Sequence, residues 1–315
     1  MNVNETLKNA ISGNTAFRSN QLLSEQWDTV KDAVDYPVWI TPAYYHDSDA
    51  DEFVNANGKT VTGRDKVFNL VVVDMYRDGD KQVIATVTDT YGSVSAKDVY
   101  EQFQTELTLS ETSHSINNLF VSENGGMQQL TVNMEDMVDI KGCPDNLQMR
   151  VVLETSVDGT KAHKLSMRVH NKTNKTDMHV YGGDYTLAAR HTTTIGDRVQ
   201  YYVPTLNKMI ENWNDVIIPT MSLMFDEKFD RNFALDMIDD ICKKSSIGER
   251  HQKAIRDLYA SGSVKTLDTT DSLYRVNVAF NQYFEGALDE KRELQNKFKD
   301  NVAKQMHTAV NKLKK

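Results

Sequence analysis

Residues 148–169 read QMRVVLETSVDGTKAHKLSMRV, two runs of strand composition on either side of a Val157-Asp158-Gly159-Thr160 turn. β-branched residues favour a pleated strand, and an Asp-Gly pair is one of the strongest short-range signals for a hairpin. We therefore predict that 148–157 and 162–169 form an antiparallel hairpin. This hairpin indicates the fold class, because antiparallel strands can be joined by tight turns whereas parallel strands need long crossovers.

The same strand pattern extends toward the N-terminus. Segments of strand composition, separated by turn-forming residues, cover 66–75, 81–88, 115–122 and 127–134. The Asp78-Gly79 pair predicts a tight hairpin between the first two. Ser95 precedes an apolar stripe that ends at Leu107, which predicts a capped helix between the second and third segments. The economical arrangement is an antiparallel meander with one intervening helix.

After Ala188 the apolar spacing changes from about two residues to about 3.6. Four apolar stripes follow, each of which predicts a helix that buries that face. They consist of Val203, Leu206, Met209, Ile210, Trp213 and Ile217; Phe229, Phe233, Met237, Ile238 and Ile241; Leu273, Phe280 and Phe284; and Leu294, Phe298, Val302, Met306, Ala309 and Leu313. The last of these helices lies at a terminus, where it is placed to pair with a second copy of the chain.

The predicted fold class is α+β: an N-terminal antiparallel β meander with an intervening helix, followed by an all-helical C-terminal half. The predicted domains are an N-terminal lead-in with an acidic loop at 1–65, a β-rich α+β domain at 66–188 and a helical region at 189–315. A chain of 315 residues with 39% hydrophobic content is large enough to close a core.

Composition argues against a membrane or secreted protein. The longest apolar runs, such as residues 68–73, are far shorter than the ~20 residues that cross a bilayer. The N-terminus lacks the basic and apolar stretches of a secretory signal, so we expect a cytoplasmic protein with no membrane partner. Cys143 and Cys242 have no partner at metal-binding spacing, which predicts ordinary thiols and neither a disulfide scaffold nor a zinc site.

A basic concentration stands out against the net charge of −9. Residues 161–208 contain eight Lys and Arg side chains against three Asp, with four tyrosines and four histidines interleaved. Cations replace phosphate counterions and aromatic rings stack on unpaired bases, so the segment suits single-stranded nucleic acid. The predicted nucleic-acid-binding residues are Lys161, Lys164, Arg168, Lys172, Lys175, Arg190, His191 and Arg198. The alternative is a solvated strand and turn whose charges have no special role.

A second basic concentration closes the chain. Residues 297–315 contain six lysines and a single acidic residue, Asp300. They are placed to anchor a polyanion, or equally to oppose the dipole at the C-terminus of a helix.

The sequence has no recognisable catalytic or cofactor motif. It lacks the phosphate loop, the nucleophile elbow, the dinucleotide-binding turn and the paired zinc histidines of H-E-x-x-H. His163 and His170 are seven apart, which places them on opposite faces of one strand. We therefore expect no enzyme activity, no cofactor and no metal site; a metal-dependent enzyme that uses the histidine group remains a third interpretation.

Three segments together resemble a phage/plasmid-like protein family of unknown function. They are residues 84–103, IATVTDTYGSVSAKDVYEQF; the turn ETSVDGTK at 154–161 with the returning strand 165–169; and Arg190-His191-Thr192 at the entry to the helices. The resemblance spans roughly residues 66 to 286, and Val169-His170-Asn171 stands where the family has a Cys-Asn pair. It implies a phage or mobile-element origin and no established enzyme activity.

The order of elements also looks like that of ring-forming single-strand annealing proteins of phage recombination. The resulting hypothesis is a non-enzymatic, homo-oligomeric protein that binds single-stranded DNA during recombination or replication in the host cytoplasm. The alternative hypothesis is a phage protein that binds and sequesters a host or defence factor.

Overall fold

The computed structural model describes most of the chain, and its arrangement of strands and helices confirms the predicted α+β class. The described residues are 20–44, 52–54, 60–62, 66–77, 79–122, 124–138, 143–182, 186–191, 202–288 and 291–313. The strands are β1 Val38–Tyr44, β2 Glu52–Val54, β3 Thr60–Thr62, β4 Lys66–Val73, β5 Gln82–Val87, β6 His114–Val121, β7 Met127–Val138, β8 Leu147–Ser156, β9 His163–Asn171, β10 Thr176–His179 and β11 Thr186–Ala189.

The larger sheet is an antiparallel meander in the order β6-β7-β8-β9, and both β10 and β11 pair with the far side of β9. β8 and β9 form the predicted hairpin, with Arg150 opposite Arg168. In the connecting turn Gly159 has a φ of +74°, and a Cβ there would lie 3.0 Å from Tyr91 Cε2. Both the conformation and the close approach therefore require glycine.

The smaller sheet has the order β1-β4-β5 and is also antiparallel, which confirms the predicted hairpin between β4 and β5. Strands β2 and β3 form a separate two-stranded ribbon. Helix α1, Asn20–Val34, packs against α2, Ala96–Leu109, and against β6. The predicted cap of α2 is confirmed, because Ser95 Oγ accepts a hydrogen bond from Asp98 N at 3.4 Å.

The C-terminal part is a packed set of helices: α3 Tyr202–Asn212, α4 Ile218–Asp226, α5 Arg231–Lys244, α6 Glu249–Ala260, α7 Leu273–Ala287 and α8 Arg292–Leu313. A π-helical turn, Trp213–Ile217, joins α3 to α4, and Ile218 N donates to Trp213 O five residues earlier. Pro219 follows and has no N–H with which to continue the α-helical pattern, which accounts for the irregularity at this point.

Among the described side chains, most of the predicted helical core faces are confirmed, with two exceptions; the side chain of Val203 lies outside the described residues. Trp213, Phe280 and Val302 are fully buried, whereas Phe233 is 52% and Leu313 39% exposed. Both exceptions lie in terminal turns of their helices, and the Phe233 ring packs on Phe229 at 5.2 Å instead of on the core. The prediction that these two side chains are buried is therefore wrong.

Several elements were not predicted, among them strands β2, β3, β10 and β11 and helices α4 and α6. Strands β10 and β11 are four residues each, too short to show a period of two. Helix α6 buries only Ile255 and Tyr259, so its apolar stripe is too narrow to detect in the sequence.

Within the described ranges, no helix is long and apolar enough to cross a bilayer. Cys143 and Cys242 are both free thiols, as predicted. Burial raises the pKa of Cys143 to about 11 and that of Cys242 to about 12, so neither is a reactive thiolate near neutral pH.

Candidate nucleic-acid interface

The larger sheet has one apolar and one polar face, because successive side chains of a strand point to opposite sides. Leu130, Val132, Leu153 and Met167 lie on the apolar face and are buried. The other side, here called the polar sheet face, includes Asn133, Arg150, Glu154, Lys164, Arg168, His170, Asp177 and His179. Cross-strand pairing places several cations of the predicted basic segment in adjacent rows of this face.

Asp177 on β10 is the carboxylate around which these cations are arranged. Its Oδ1 accepts from Arg150 Nη1 at 2.7 Å and from His170 Nδ1 at 2.8 Å, and its Oδ2 lies 4.0 Å from Arg168 Nη1. Although burial alone would raise the pKa of Asp177, the hydrogen bond from His170 and the charges of Arg150 and Arg168 lower it well below its usual range. Asp177 is therefore ionised and neutralises the centre of the face.

The outer edge of β10 is closed by an ion pair from two helices. Lys299 Nζ on α8 donates to Asp177 O at 2.9 Å, and Glu285 Oε1 on α7 accepts from Asp177 N at 3.4 Å. Lys299 and Glu285 are also paired with each other. Burial lowers the pKa of Lys299, while the neighbouring carboxylates of Glu285 and Asp177 act in the opposite direction. This cover satisfies backbone groups that an open edge would expose to strand pairing.

The next residue of α8 after Lys299, Asp300, reaches the polar sheet face. Its Oδ1 accepts from His179 Nδ1 at 2.6 Å. Burial lowers the pKa of His179 to about 3, and the adjacent charge of Arg168 acts in the same direction. His179 is therefore neutral at pH 7 and carries its hydrogen on Nδ1.

Beyond His179, the chain presents an exposed aromatic ring next to basic side chains of α8. Tyr181 is 41% exposed, its ring centroid is 5.5 Å from that of His307, and Lys304 Nζ lies 6.0 Å from its centre. Asp300, Lys304 and His307 are spaced four and three apart and so share one helix face. We call Lys164, Tyr181, Asp300, Lys304 and His307 the Tyr181 surface.

The two basic concentrations of the sequence meet at this surface. Lys164 comes from the first concentration and Lys304 from the second, and Lys164 is close enough to Asp300 to lower the pKa of that carboxyl. Sequence reasoning noted both lysines but did not connect them, and it missed His307 as a contact of Tyr181. The feature of the sequence that could have indicated this surface is the helical spacing, which places 300, 304 and 307 together on the face opposite the apolar stripe.

The remaining predicted residues are divided by strand β9, whose nine residues span about 27 Å. Lys172 and Lys175 are exposed in the turn after the strand. Lys161, Arg190 and His191 lie at the opposite end, near the turn before the strand. Between them Arg168 is almost fully buried, so its charge acts inside the protein. Arg198 lies outside the described residues.

His191 belongs to a cluster that joins the three segments of the family resemblance. Its ring stacks on Tyr91 at 5.2 Å, and its nitrogens lie 2.8 Å from Lys161 O and 3.3 Å from Gly92 O. Tyr91 in turn donates to Val157 O at 2.6 Å. Burial lowers the pKa of His191, whereas the two carbonyls favour the protonated form. His191 therefore connects the 88–95 loop to the β8–β9 turn.

His163 lies against His191 on the apolar face, with ring centroids 4.5 Å apart. Its side chain is fully buried, and neither nitrogen has a hydrogen-bond partner among the described residues. Burial lowers the pKa of His163 to about 3, and the neighbouring His191 adds to the effect. The predicted placement of His163 and His170 on opposite faces is confirmed. In the part of the chain that the structure describes, no group of three or more His, Cys, Asp or Glu is placed to hold a metal ion.

No protein-family model matches the chain, and no curated protein or solved structure is significantly similar to it. The resemblance to the phage/plasmid-like family therefore stays a prediction from the three sequence segments. The chemistry of the Tyr181 surface, an exposed ring with cations around it, is the basis for assigning a function.

Proposed function

We propose that this chain is a non-enzymatic single-stranded DNA-binding protein, in which bases stack on Tyr181 and phosphates bind the cations on either side. The observation that supports this most is the proximity of the exposed Tyr181 ring to Lys304 and His307, where the two basic concentrations meet. The family resemblance adds a phage or mobile-element origin, and the likeness in element order to single-strand annealing proteins adds a homo-oligomeric assembly and a role in recombination or replication in the host cytoplasm.

The chemistry of the surface fits unpaired strands better than a duplex. A stacked base contributes about 1–3 kcal/mol and needs a free aromatic face, which duplex DNA does not offer without unstacking. The overall charge of −9 opposes any polyanion, so binding has to depend on local cations. Lys172 and Lys175 at one end of β9, and Arg190 at the other, are further exposed cations of the predicted basic segment.

Titration of a fluorescently labelled oligothymidine at several salt concentrations tests the proposal. We expect Tyr181→Ala to weaken binding by about tenfold, since it removes one stacked base. Lys304→Ala should reduce the slope of log affinity against log salt by about 0.7, the value for one released counterion on a single strand. Absence of binding by the wild type at low salt, or an affinity that does not depend on salt, would exclude the proposal.

Two matched variants control for loss of an exposed ring or a charge elsewhere. Tyr76 is 51% exposed in the β4–β5 turn, and Lys253 is exposed on α6. Neither residue belongs to the Tyr181 surface, so Tyr76→Ala and Lys253→Ala should bind oligothymidine as the wild type does. Equal weakening by all four substitutions would place the DNA somewhere other than the Tyr181 surface.

A second candidate function is the sequestration of a host or defence factor. It is favoured by the outer face of the smaller sheet, where Trp39, Phe68 and Val83 are 40%, 40% and 58% exposed. Exposed apolar groups of this kind are typical of protein contact surfaces. The hypothesis predicts that the protein co-purifies from infected cells with one stoichiometric protein and without nucleic acid, and that Trp39→Ser with Val83→Ser abolishes this association while Tyr181→Ala does not.

A further inference from the structure

Asp300 is an acidic residue in basic surroundings. It accepts a hydrogen bond from His179 and lies near Lys164 and Arg168, yet its side chain is 53% exposed. Burial would raise the pKa of Asp300, but the hydrogen bond from His179 and the charges of Lys164 and Arg168 lower it below its ordinary value. The carboxylate is therefore ionised and occupies a position, open to solvent, where the surrounding groups favour a negative charge.

Arg168 is the buried cation next to this position, and the Asp177 carboxylate does not fully neutralise its charge. The Asp177 carboxylate makes short contacts with Arg150 and His170, and its distance to Arg168 is 4.0 Å. Arg168 Nε is buried and has no acceptor among the described residues. Because Arg168 is the direct cross-strand neighbour of His179, its remaining charge acts on whatever group His179 binds.

We propose that the Asp300 carboxylate fills a phosphate-binding site formed by Lys164, Arg168 and His179, and that a phosphate group of single-stranded DNA displaces it. The choice of DNA as the source of the phosphate rests on the proposed function, whereas the anion site rests on these four residues alone. A phosphate presents the same kind of oxygen acceptor as a carboxylate and binds cations in the same way. In place of Asp300 it accepts from His179 Nδ1 and lies in the field of Lys164 and Arg168.

The position of the site explains how a phosphate can compete with a carboxylate of the protein. Lys304 and His307 lie one and two turns further along the same face of α8, beside Tyr181. A strand whose base is stacked on Tyr181 therefore holds its neighbouring phosphate at a high effective concentration near Asp300. Asp300 acts as an internal competitor that keeps the site closed to isolated anions and lowers the affinity for DNA.

The test compares Asp300→Asn with Asp257→Asn, which removes the same charge from an exposed position on α6. Asparagine retains the acceptor oxygen for His179 Nδ1, so the first variant should fold as the wild type does; Asp300→Ser is a second variant if it does not. Two probes are used: inorganic phosphate at constant ionic strength, read as a shift in unfolding temperature, and labelled oligothymidine, read as affinity.

We expect Asp300→Asn to bind both probes about fivefold more tightly than the wild type, the effect of removing one nearby like charge in water. Asp257→Asn should change neither affinity by more than about twofold, because its charge lies on another helix and is exposed to the solvent ions that screen it. Adding Lys164→Gln to Asp300→Asn should reverse the gain. Equal behaviour of the two Asp variants would overturn the inference.

The two probes separate this inference from the proposed function. If Asp300→Asn gains affinity for phosphate but neither form binds oligothymidine, the anion site stands and the DNA-binding proposal fails. If the wild type binds oligothymidine but Asp300→Asn gains nothing on either probe, the DNA-binding proposal stands and Asp300 is only a structural partner of His179.

Discussion

The two faces of the larger sheet are made by the same strands but are stabilised by different forces. On the apolar face, Leu130 and Val132 are buried among other apolar groups, and burial itself provides the stability. On the polar sheet face, Arg150 and Asp177 are nearly as inaccessible, and each must find a partner because an unpaired buried charge is costly. Within the basic segment, the buried Arg168 therefore serves the fold, whereas Lys172, Lys175 and Arg190 are exposed to solvent.

The largest expected effect comes from removing the shared carboxylate of the polar sheet face. Asp177→Asn preserves the shape of the side chain but leaves Arg150 and Arg168 without a counter-charge, which should cost about 3–5 kcal/mol of unfolding free energy. Urea denaturation measures it, with Asp257→Asn as the exposed control. A loss below about 1 kcal/mol would mean that water reaches these arginines, and the contrast between the faces would fail.

Truncation on the apolar face should have a comparable but somewhat smaller effect. Leu130 is fully buried, and Leu130→Ala should destabilise the protein by about 3 kcal/mol through lost burial and the cavity left behind. The same urea titration checks it, and Asn118→Ala at an exposed position of β6 should stay within about 0.5 kcal/mol. A small effect of Leu130→Ala would show that this face collapses readily around a void.

His163 should make stability depend on pH. Its folded-state pKa of about 3 lies below the unfolded value of 6.5, so the stability present above pH 6.5 is lost progressively as the pH falls toward 3. At pH 5 the loss for this one residue is about 2 kcal/mol. His163→Leu should therefore flatten the profile of unfolding free energy between pH 7 and 5.

Asn118→Ala at an exposed position of β6 provides the control for that profile, because it changes no titratable group and should leave the slope of stability against pH unchanged. His179 titrates in the same pH range as His163, so some slope remains in His163→Leu. If the pH profile of His163→Leu were identical to that of the wild type, His163 would not be a buried side chain without a hydrogen-bond partner.

The smallest expected effect is that of the opposed pair Glu154 and Lys164 on the polar sheet face. Cross-strand pairs of opposite charge contribute roughly 0.2–1 kcal/mol, and salt weakens those that water can reach. A double-mutant cycle with Glu154→Gln and Lys164→Gln, measured at low and high salt, should give a coupling near 0.5 kcal/mol that declines with salt. A coupling above about 2 kcal/mol would indicate that this pair is as buried as the Asp177 network.

Strands β4 to β9 and helix α2 could be predicted because their signals are local. Turn residues such as Asp158-Gly159 and the cap Ser95 act over two to four positions, and β8, β9 and α2 form where those signals place them. The prediction for Phe233 was wrong because helical spacing shows which residues share a face but not where a neighbouring helix ends. The candidate site was predicted only as a stretch of charge, and the Tyr181 surface that replaces it uses residues more than 120 positions apart.

The sequence by itself determined the α+β class, the hairpins and the presence of excess positive charge, since each follows from chemistry between near neighbours in the chain. Only the tertiary structure decided which charges remain available to a ligand. Strand pairing brings the buried Arg168 to 4.0 Å from Asp177, and helix packing brings Asp300 into the field of Lys164. Electrostatic interactions depend on distance and burial in space, and neither quantity can be read from positions along the chain.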